Sequence, residues 1–410
     1  VTAASTDTGL LIAVLRGDPE WPTSTLSPHD WRRITAAASR HSVAPLLWHL
    51  LLKKQAVSLV AEDARRRLQS AHLQAWHAAQ TWRSQLLEAL HALHERAIPT
   101  VLLKGSYLSF HAYPEPSLRP MGDLDLLVPD GRMRDARDAL LSRGYTIRSL
   151  QEWSDWEAHR LHRHPPPLMR EGCLTIELHS GLETCEPPFR LPMDEVWQSA
   201  RPADPPFDKA LGLSPENLLL HVATHMGRSH LLGSSLVRIC DVAQWSARFG
   251  REVDWDGLMA RARTGGVLQF VHAALELARR LLHAPVPREA LNEVPSARDL
   301  AAVDRAAELL EENPSILTAS IALTRRDRPL ARRVASACRS ILVPRDAGPT
   351  LHDNDSVARQ DNDRERERQG FAEGVMALRG AVLGPRAARR ALQTVRHVRE
   401  LRAWAEQPGA

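Results

Sequence analysis

Apolar residues in the first hundred positions recur three, four and seven apart: Leu46, Leu47, Leu50 and Leu51, then Leu68, Leu73, Trp76, Leu86, Leu87, Leu90 and Leu93. That spacing predicts amphipathic helices, and the stretch from Leu10 to Arg96 is rich in Ala and Leu with almost no Gly. Residues 1–96 therefore read as an N-terminal helical subdomain. The pattern changes at Ile98. Pro99 stops the helix, Thr100 to Leu103 reads as a short buried strand, and Lys104-Gly105-Ser106 breaks it before a helical Tyr107 to His111. After the turn Tyr113-Pro114-Glu115-Pro116, Met121 to Val128 alternates apolar and polar as a strand does. A helix from about Asp130 to Arg143 ends at Gly144, and Tyr145 to Ser149 and Leu174 to His179 are further strands. Residues 97–190 thus form a small α+β unit with an antiparallel or mixed sheet.

Downstream the helical period returns. Ser214-Pro215-Glu216 has the N-cap, first-turn proline and early acid of a helix start, and Leu218, His221, Val222, His225 and Met226 share one face. Further helices are expected at about 236–249, 255–264, 267–283 and 297–311, giving an all-helical domain over 191–312. Residues 313–410 carry 18 Arg against 11 Asp and Glu, a net of +7, and form a basic C-terminal region. Within it, 351–370 is charged and nearly devoid of apolar residues, as a linker is, and Arg386, Arg389, Arg390, Arg396, Arg399 and Arg402 punctuate a last helix.

Composition narrows the class. With 43% hydrophobic and 25% charged residues among 410, the chain can bury a sizeable core, and no apolar run reaches the ~20 residues of a membrane span. No basic stretch precedes the short apolar run near the start, so no secretory signal is expected and a cytoplasmic location follows. Cys173, Cys185, Cys240 and Cys338 are scattered, without the pairing of a zinc ribbon or a disulfide framework. Only Lys53, Lys54, Lys104 and Lys209 of the 53 basic residues are lysines, a balance expected of a GC-rich bacterial coding sequence.

The candidate chemistry lies between Leu103 and Val128. A strand that ends in Gly105-Ser106 before a helix offers backbone N–H groups to phosphate oxygens, and Ser106 adds a hydroxyl. In Asp123-Leu124-Asp125 the period of two puts both carboxylates on one face and Leu124 on the other. Carboxylates so close repel unless a cation lies between them, and Mg2+ is the natural one for an oxygen donor set. Glu177, flanked by apolar residues in Thr175-Ile176-Glu177-Leu178-His179, is the third acid, with Glu171 beside a Gly turn as the competitor.

Together, Leu102 to Ser106, the turn Tyr113 to Pro120, Asp123 to Val128 and Ile176 to His179 resemble the uncharacterised-nucleotidyltransferase family of the DNA polymerase β-like superfamily. The helical stretch with His221, His225 and Asp241 is similar to the family's second domain, and the resemblance covers about residues 85–285. Some members with this pattern accompany lasso-peptide biosynthesis genes in bacteria. The resemblance implies a polymerase β-like sheet domain embedded between N-terminal helices and a C-terminal helical domain. It also implies an enzyme that moves a nucleoside monophosphate from an NTP to an acceptor hydroxyl of a peptide, small molecule or RNA, releasing pyrophosphate. Asp123, Asp125 and Glu177 would hold two Mg2+ ions, with Mn2+ as the alternative; Gly105 and Ser106 would grip phosphates; Lys104 and Arg119 would neutralise charge. Departures are the Glu at the third acid and the poor match of residues 320–410.

Rival readings attach to the same residues. A DxD pair also holds nucleotide sugars in glycosyltransferases, and a catalytically inactive module could bind nucleotide or nucleic acid through the basic tail. Arg119 either caps the Pro-rich turn, pairs with Asp123, or serves the nucleotide; Asp241 either pairs with Arg238 or reaches a pocket. His221 and His225 read as packed or hydrogen-bonded rather than zinc-binding, and His159, His162 and His164 as a loop face.

Overall fold

In a computed structural model, the structure describes residues 7–17, 26–159, 164–185, 189–232, 235–291, 296–310 and 385–406. Contacts divide it into two compact units, of which the first contains a sheet and its surrounding helices and the second, in essence, a helix pair.

The first unit opens with α1 (Asp7–Arg16), α2 (Pro28–Arg40), α3 (Ala44–Lys53) and α4 (Glu62–Glu95), as the helical period predicts. Ser27 and Asp30 form a reciprocal capping box at the start of α2, with Pro28 in its first turn. The buried stripe of α4 runs through Leu68, Ala75, Ala79, Trp82, Leu86, Leu90 and Leu93, whereas Leu73 and Trp76 are 50% and 45% exposed on the opposite side. Gln85 is the polar member of the stripe. Its amide donates to Leu174 O at 2.7 Å and accepts from Leu174 N at 2.9 Å, which pins the residue preceding β5 (Thr175–His179) against α4.

The sheet is mixed. Its other strands are β1 (Val101–Leu102), β2 (Asp123–Leu127), β3 (Thr146–Ile147), β4 (Leu168–Met169), β6 (Arg201–Pro202) and β7 (Leu211–Gly212), in the order β3-β4-β5-β2-β1-β7-β6. β2 runs parallel to β5 and β1 parallel to β7, and the other neighbours are antiparallel. The sheet therefore takes two short strands from beyond residue 190, where only helices were expected. Helices α5 (Lys104–His111), α6 (Met133–Leu141), α7 (Leu150–His159) and α8 (Met193–Ser199) connect the strands. Leu124 and Leu126 of β2 and Ile176 and Leu178 of β5 join Leu86, Leu90 and Leu93, Leu140 and Trp153 in one core. Alternation leaves the opposite face to Asp123, Asp125 and Leu127 of β2 and to Thr175, Glu177 and His179 of β5.

α9 (Pro215–His230), α10 (Leu236–Phe249), α11 (Trp255–Thr264) and α12 (Leu268–Leu282) follow. Ser214 caps α9 as expected, its Oγ accepting from Asn217 N at 3.3 Å. In the second unit α13 (Ala297–Leu309) packs on α14 (Pro385–Ala405) through Val395, Val398, Leu401 and Trp404. The Trp404 indole donates to Asp299 Oδ1 at 2.7 Å, and Glu400 pairs with Arg305. The charged stretch 351–370 and most of the basic region lie outside the described residues. Among the described residues no helix is long and apolar enough to cross a membrane, and Cys173 and Cys240 are free thiols.

Candidate active site

β1 and β2 are antiparallel neighbours, and the helix after β1 begins at Lys104 rather than at Tyr107. Lys104 adopts φ +43°, the left-handed region that costs a residue with a Cβ about 1–2 kcal/mol. The turn brings its side chain back over β2, where Nζ lies 2.7 Å from Asp125 Oδ1. Ser106 is fully buried, and its Oγ accepts from Asp125 N at 2.9 Å, tying α5 to β2. Gly105 lies where a Cβ would come within 2.4 Å of Arg119 Nη1 and 3.2 Å of Met121 Cβ, so a larger residue would displace Arg119.

The parallel register sets Asp123 against Thr175, Asp125 against Glu177 and Leu127 against His179. With a period of two, Asp123, Asp125, Glu177 and His179 share the polar face. Donor atoms of Asp125, Glu177 and His179 all lie within 4.8 Å of one another. His179 Nε2 is 2.8 Å from Asp125 Oδ1 and 3.8 Å from Glu177 Oε2. His164, expected on a loop face, instead points Nε2 at Glu177 Oε2 from 3.5 Å, with its ring 5.3 Å from that of His179.

The charges interact strongly. Asp125's charge, then burial and Glu177, push Asp123 up to about 7, with Lys104 and Arg119 opposing. Burial disfavours the ionised form of Asp125, but Lys104 and then His179 overcome it and hold this carboxyl well below the usual range. Burial lowers the pKa of His179, so a neutral imidazole faces the carboxylates. Two carboxylates and a neutral imidazole on one face are the donor set of a divalent cation, and the repulsion at Asp123 is what such a cation would relieve.

Arg119 makes one long bond to the turn, Nη1 to Pro120 O at 3.5 Å, and acts on Asp123 through charge alone. Its Nε and Nη2 donate to the two carboxylate oxygens of Asp241 at 3.1 and 2.9 Å, and Tyr113 Oη donates to the same carboxylate at 2.8 Å. Asp241 is thus the partner of Arg119 in a buried bidentate pair. Arg238, the other expected partner, is lowered to about 10 by burial and then by Arg119, with Asp123 and Asp241 opposing. Lys104, Arg119 and Arg238 all act electrostatically on the Asp123 end of the cluster.

The sequence pattern of the uncharacterised-nucleotidyltransferase family matches residues 27–283, more than half of the chain. The chain belongs to this family. No curated protein and no solved structure matches it. The span of the uncharacterised-nucleotidyltransferase match takes in α2 to α12 and every strand, and stops short of the helix pair.

Within that span the remaining sequence candidates separate. Glu171 is exposed beside Gly172 and is not among the clustered donors. On α9, His225 Nδ1 lies 2.9 Å from Glu183 Oε1, and Ser229 donates to the same oxygen at 2.9 Å. His221 is buried with neither ring nitrogen hydrogen-bonded, and burial, then Lys104, hold it well below its ordinary pKa. Among the described residues the sole group of three metal donors is Asp125, Glu177 and His179. His179 is absent from the sequence candidates, and the signal for it is that Glu177-Leu178-His179 shows the same alternation as Asp123-Leu124-Asp125. For His164 no local signal exists; only the fold carries it to Glu177.

Proposed function

We propose that this nucleotidyltransferase-family chain transfers a nucleoside monophosphate from an NTP to an acceptor hydroxyl, with release of pyrophosphate, in the manner of the DNA polymerase β-like superfamily. The observation that carries the reading is the convergence of Asp125, Glu177 and His179 within 4.8 Å, beside the Lys104 ammonium. Asp123 and Asp125 would hold two divalent ions, Mg2+ if oxygen donors alone decide, and Glu177 would complete the ion on the acceptor side. When bound, the ions stabilise charge on the transferring phosphoryl group and on the attacking oxygen.

The protein's own groups do the positioning. Ser106 holds the start of α5 against β2, and the first-turn N–H groups of α5 would donate to phosphate oxygens. Lys104 and Arg119 offset phosphate charge, and Asp241 and Tyr113 fix the orientation of Arg119 before substrate arrives. An NTP co-substrate fits a cytoplasmic, bacterial setting. The acceptor classes are a peptide natural product of the lasso type, a small molecule or an RNA.

Calorimetric titration with a non-hydrolysable triphosphate, with and without divalent cation, tests the reading. Cation-dependent binding is expected in the wild type and its loss in Asp123→Asn and Asp125→Asn, with folding retained. Undiminished binding in both variants would defeat the assignment. Release of free sugar from nucleotide sugars would favour glycosyl transfer instead.

A further inference from the structure

The choice of Mg2+ follows from an all-oxygen donor set, whereas the three donors that the folded chain gathers within 4.8 Å include a nitrogen. His179 lies in the same strand as Glu177, two residues on, and its side chain is buried on the face that carries Asp125. Nε2 is the ring atom turned inward, 2.8 Å from one carboxylate oxygen and 3.8 Å from another. Donors bound at about 2.1 Å to a single ion lie roughly 3.0–3.4 Å apart, so separations within 4.8 Å close onto an ion with shifts of about an ångström. The strand fixes the imidazole, since Val128 N donates to His179 O at 2.9 Å and the His164 ring packs alongside. His164 also faces Glu177 from 3.5 Å, the kind of outer contact that orients a ligating carboxylate.

Imidazole nitrogen is a good donor to Co2+, Zn2+, Fe2+ and Ni2+, whereas Mg2+ keeps oxygen ligands and gives up water reluctantly. We infer that this centre binds a first-row transition-metal ion through His179 Nε2 together with Asp125 and Glu177, in preference to Mg2+. The inference rests on the proposed transferase site being a metal centre and names the metal class it takes. The competing role for His179 is that of a positioning residue, donating Nε2–H to Asp125 without touching an ion. Such a role would leave metal preference unchanged.

The test uses the full chain, with metals as the probes. Titration of the apo-protein with Co2+ and with Mg2+ gives an affinity ratio, and pulsed EPR of the Mn2+ form reads nitrogen coordination directly. Co2+ should bind at least tenfold more tightly than Mg2+, with visible absorption characteristic of mixed N/O ligation, and the Mn2+ spectra should show 14N coupling. In His179→Gln, whose amide can still donate to Asp125, the Co2+ to Mg2+ ratio should fall by about tenfold or more and the 14N coupling should vanish. Equal wild-type affinities, no 14N coupling, or an unchanged ratio in His179→Gln would overturn the inference. The wild-type EPR result stands even where the variant does not fold. Measuring triphosphate binding in each metal separates the two readings: 14N coupling without nucleotide binding defeats the transferase and keeps the metal. Nucleotide binding with Mg2+ and no 14N coupling does the reverse.

Discussion

Removing one charge from the acid cluster should stabilise the metal-free protein, and by an amount that depends on pH. Asp123 is raised from 3.8 to about 7, first by Asp125, then by burial and Glu177. Below about pH 4 the side chain is protonated in both folded and unfolded chains and contributes nothing. Between about pH 4 and 7 the unfolded chain ionises while the folded one keeps its proton, so folding stability falls as pH rises. Above pH 7 the full penalty applies. A shift of about three units corresponds to roughly 4 kcal/mol, and the two-state titration gives about 1 kcal/mol at pH 4.5 rising to about 4 kcal/mol at pH 8. Asp123→Asn abolishes the titration. Urea unfolding in a chelator should therefore show the variant ahead of wild type by a margin that grows by about 3 kcal/mol between those pH values. A divalent ion at pH 8 should narrow that margin by up to about 2.7 kcal/mol, the gain at a hundredfold excess over Kd, without reversing an order set by about 4 kcal/mol. A margin independent of pH would show that Asp123 is not under the field of Asp125 and Glu177, and the clustered-acid account would fail with it.

Asp241→Asn should cost about 3–5 kcal/mol of stability because it leaves the Arg119 guanidinium buried without its charge partner. The double variant Arg119→Met, Asp241→Leu should recover most of that, and a thermodynamic cycle without such recovery would refute the pairing. Tyr113→Phe removes one bond to the same carboxylate and should cost about 1.5–3 kcal/mol by denaturant titration. Truncation after Pro349 removes α14 and exposes the apolar residues Ala302, Val303, Ala306 and Leu309 of α13, so limited proteolysis should cut that helix while triphosphate affinity survives. Affinity lost with the sheet intact would place the C-terminal region in the active site.

How much of this was legible depended on element length. Helices of ten to sixteen residues show several turns of the 3.6 period, and 236–249 and 255–264 fall where the pattern placed them. β2 and β5 were legible because five residues suffice to show alternation. β1, β3, β4, β6 and β7 have two residues each, too few for any period; β1 and β3 were legible only because Pro99 and Gly144 end a helix just before them. The charge of the basic C-terminal region draws attention to its arginines, yet α14 buries Val398, Leu401 and Trp404, apolar positions that the arginines between them obscure.

At the site, side-chain facing was legible and register was not. Alternation alone places Asp123 with Asp125 and Glu177 with His179, but nothing local states that β2 and β5 are parallel neighbours with Asp125 opposite Glu177. The Arg119–Asp241 pair spans 122 residues and has no local signature at all. The folded chain nevertheless marks the place in another way. Lys104 has a left-handed backbone, Asp125 is a carboxylate only 1% exposed, and Asp123 is held near neutrality by like charge, three locally unfavourable choices gathered at one end of two strands. A sheet selected for stability alone would carry apolar or small polar residues there, since the left-handed lysine and the like-charge repulsion oppose folding and the buried carboxylate is tolerated only with Lys104 and His179 beside it. Their concentration beside Gly105 and Ser106, on the face opposite the Leu124 and Leu178 core, is what a site organised around a cation and an anionic substrate requires.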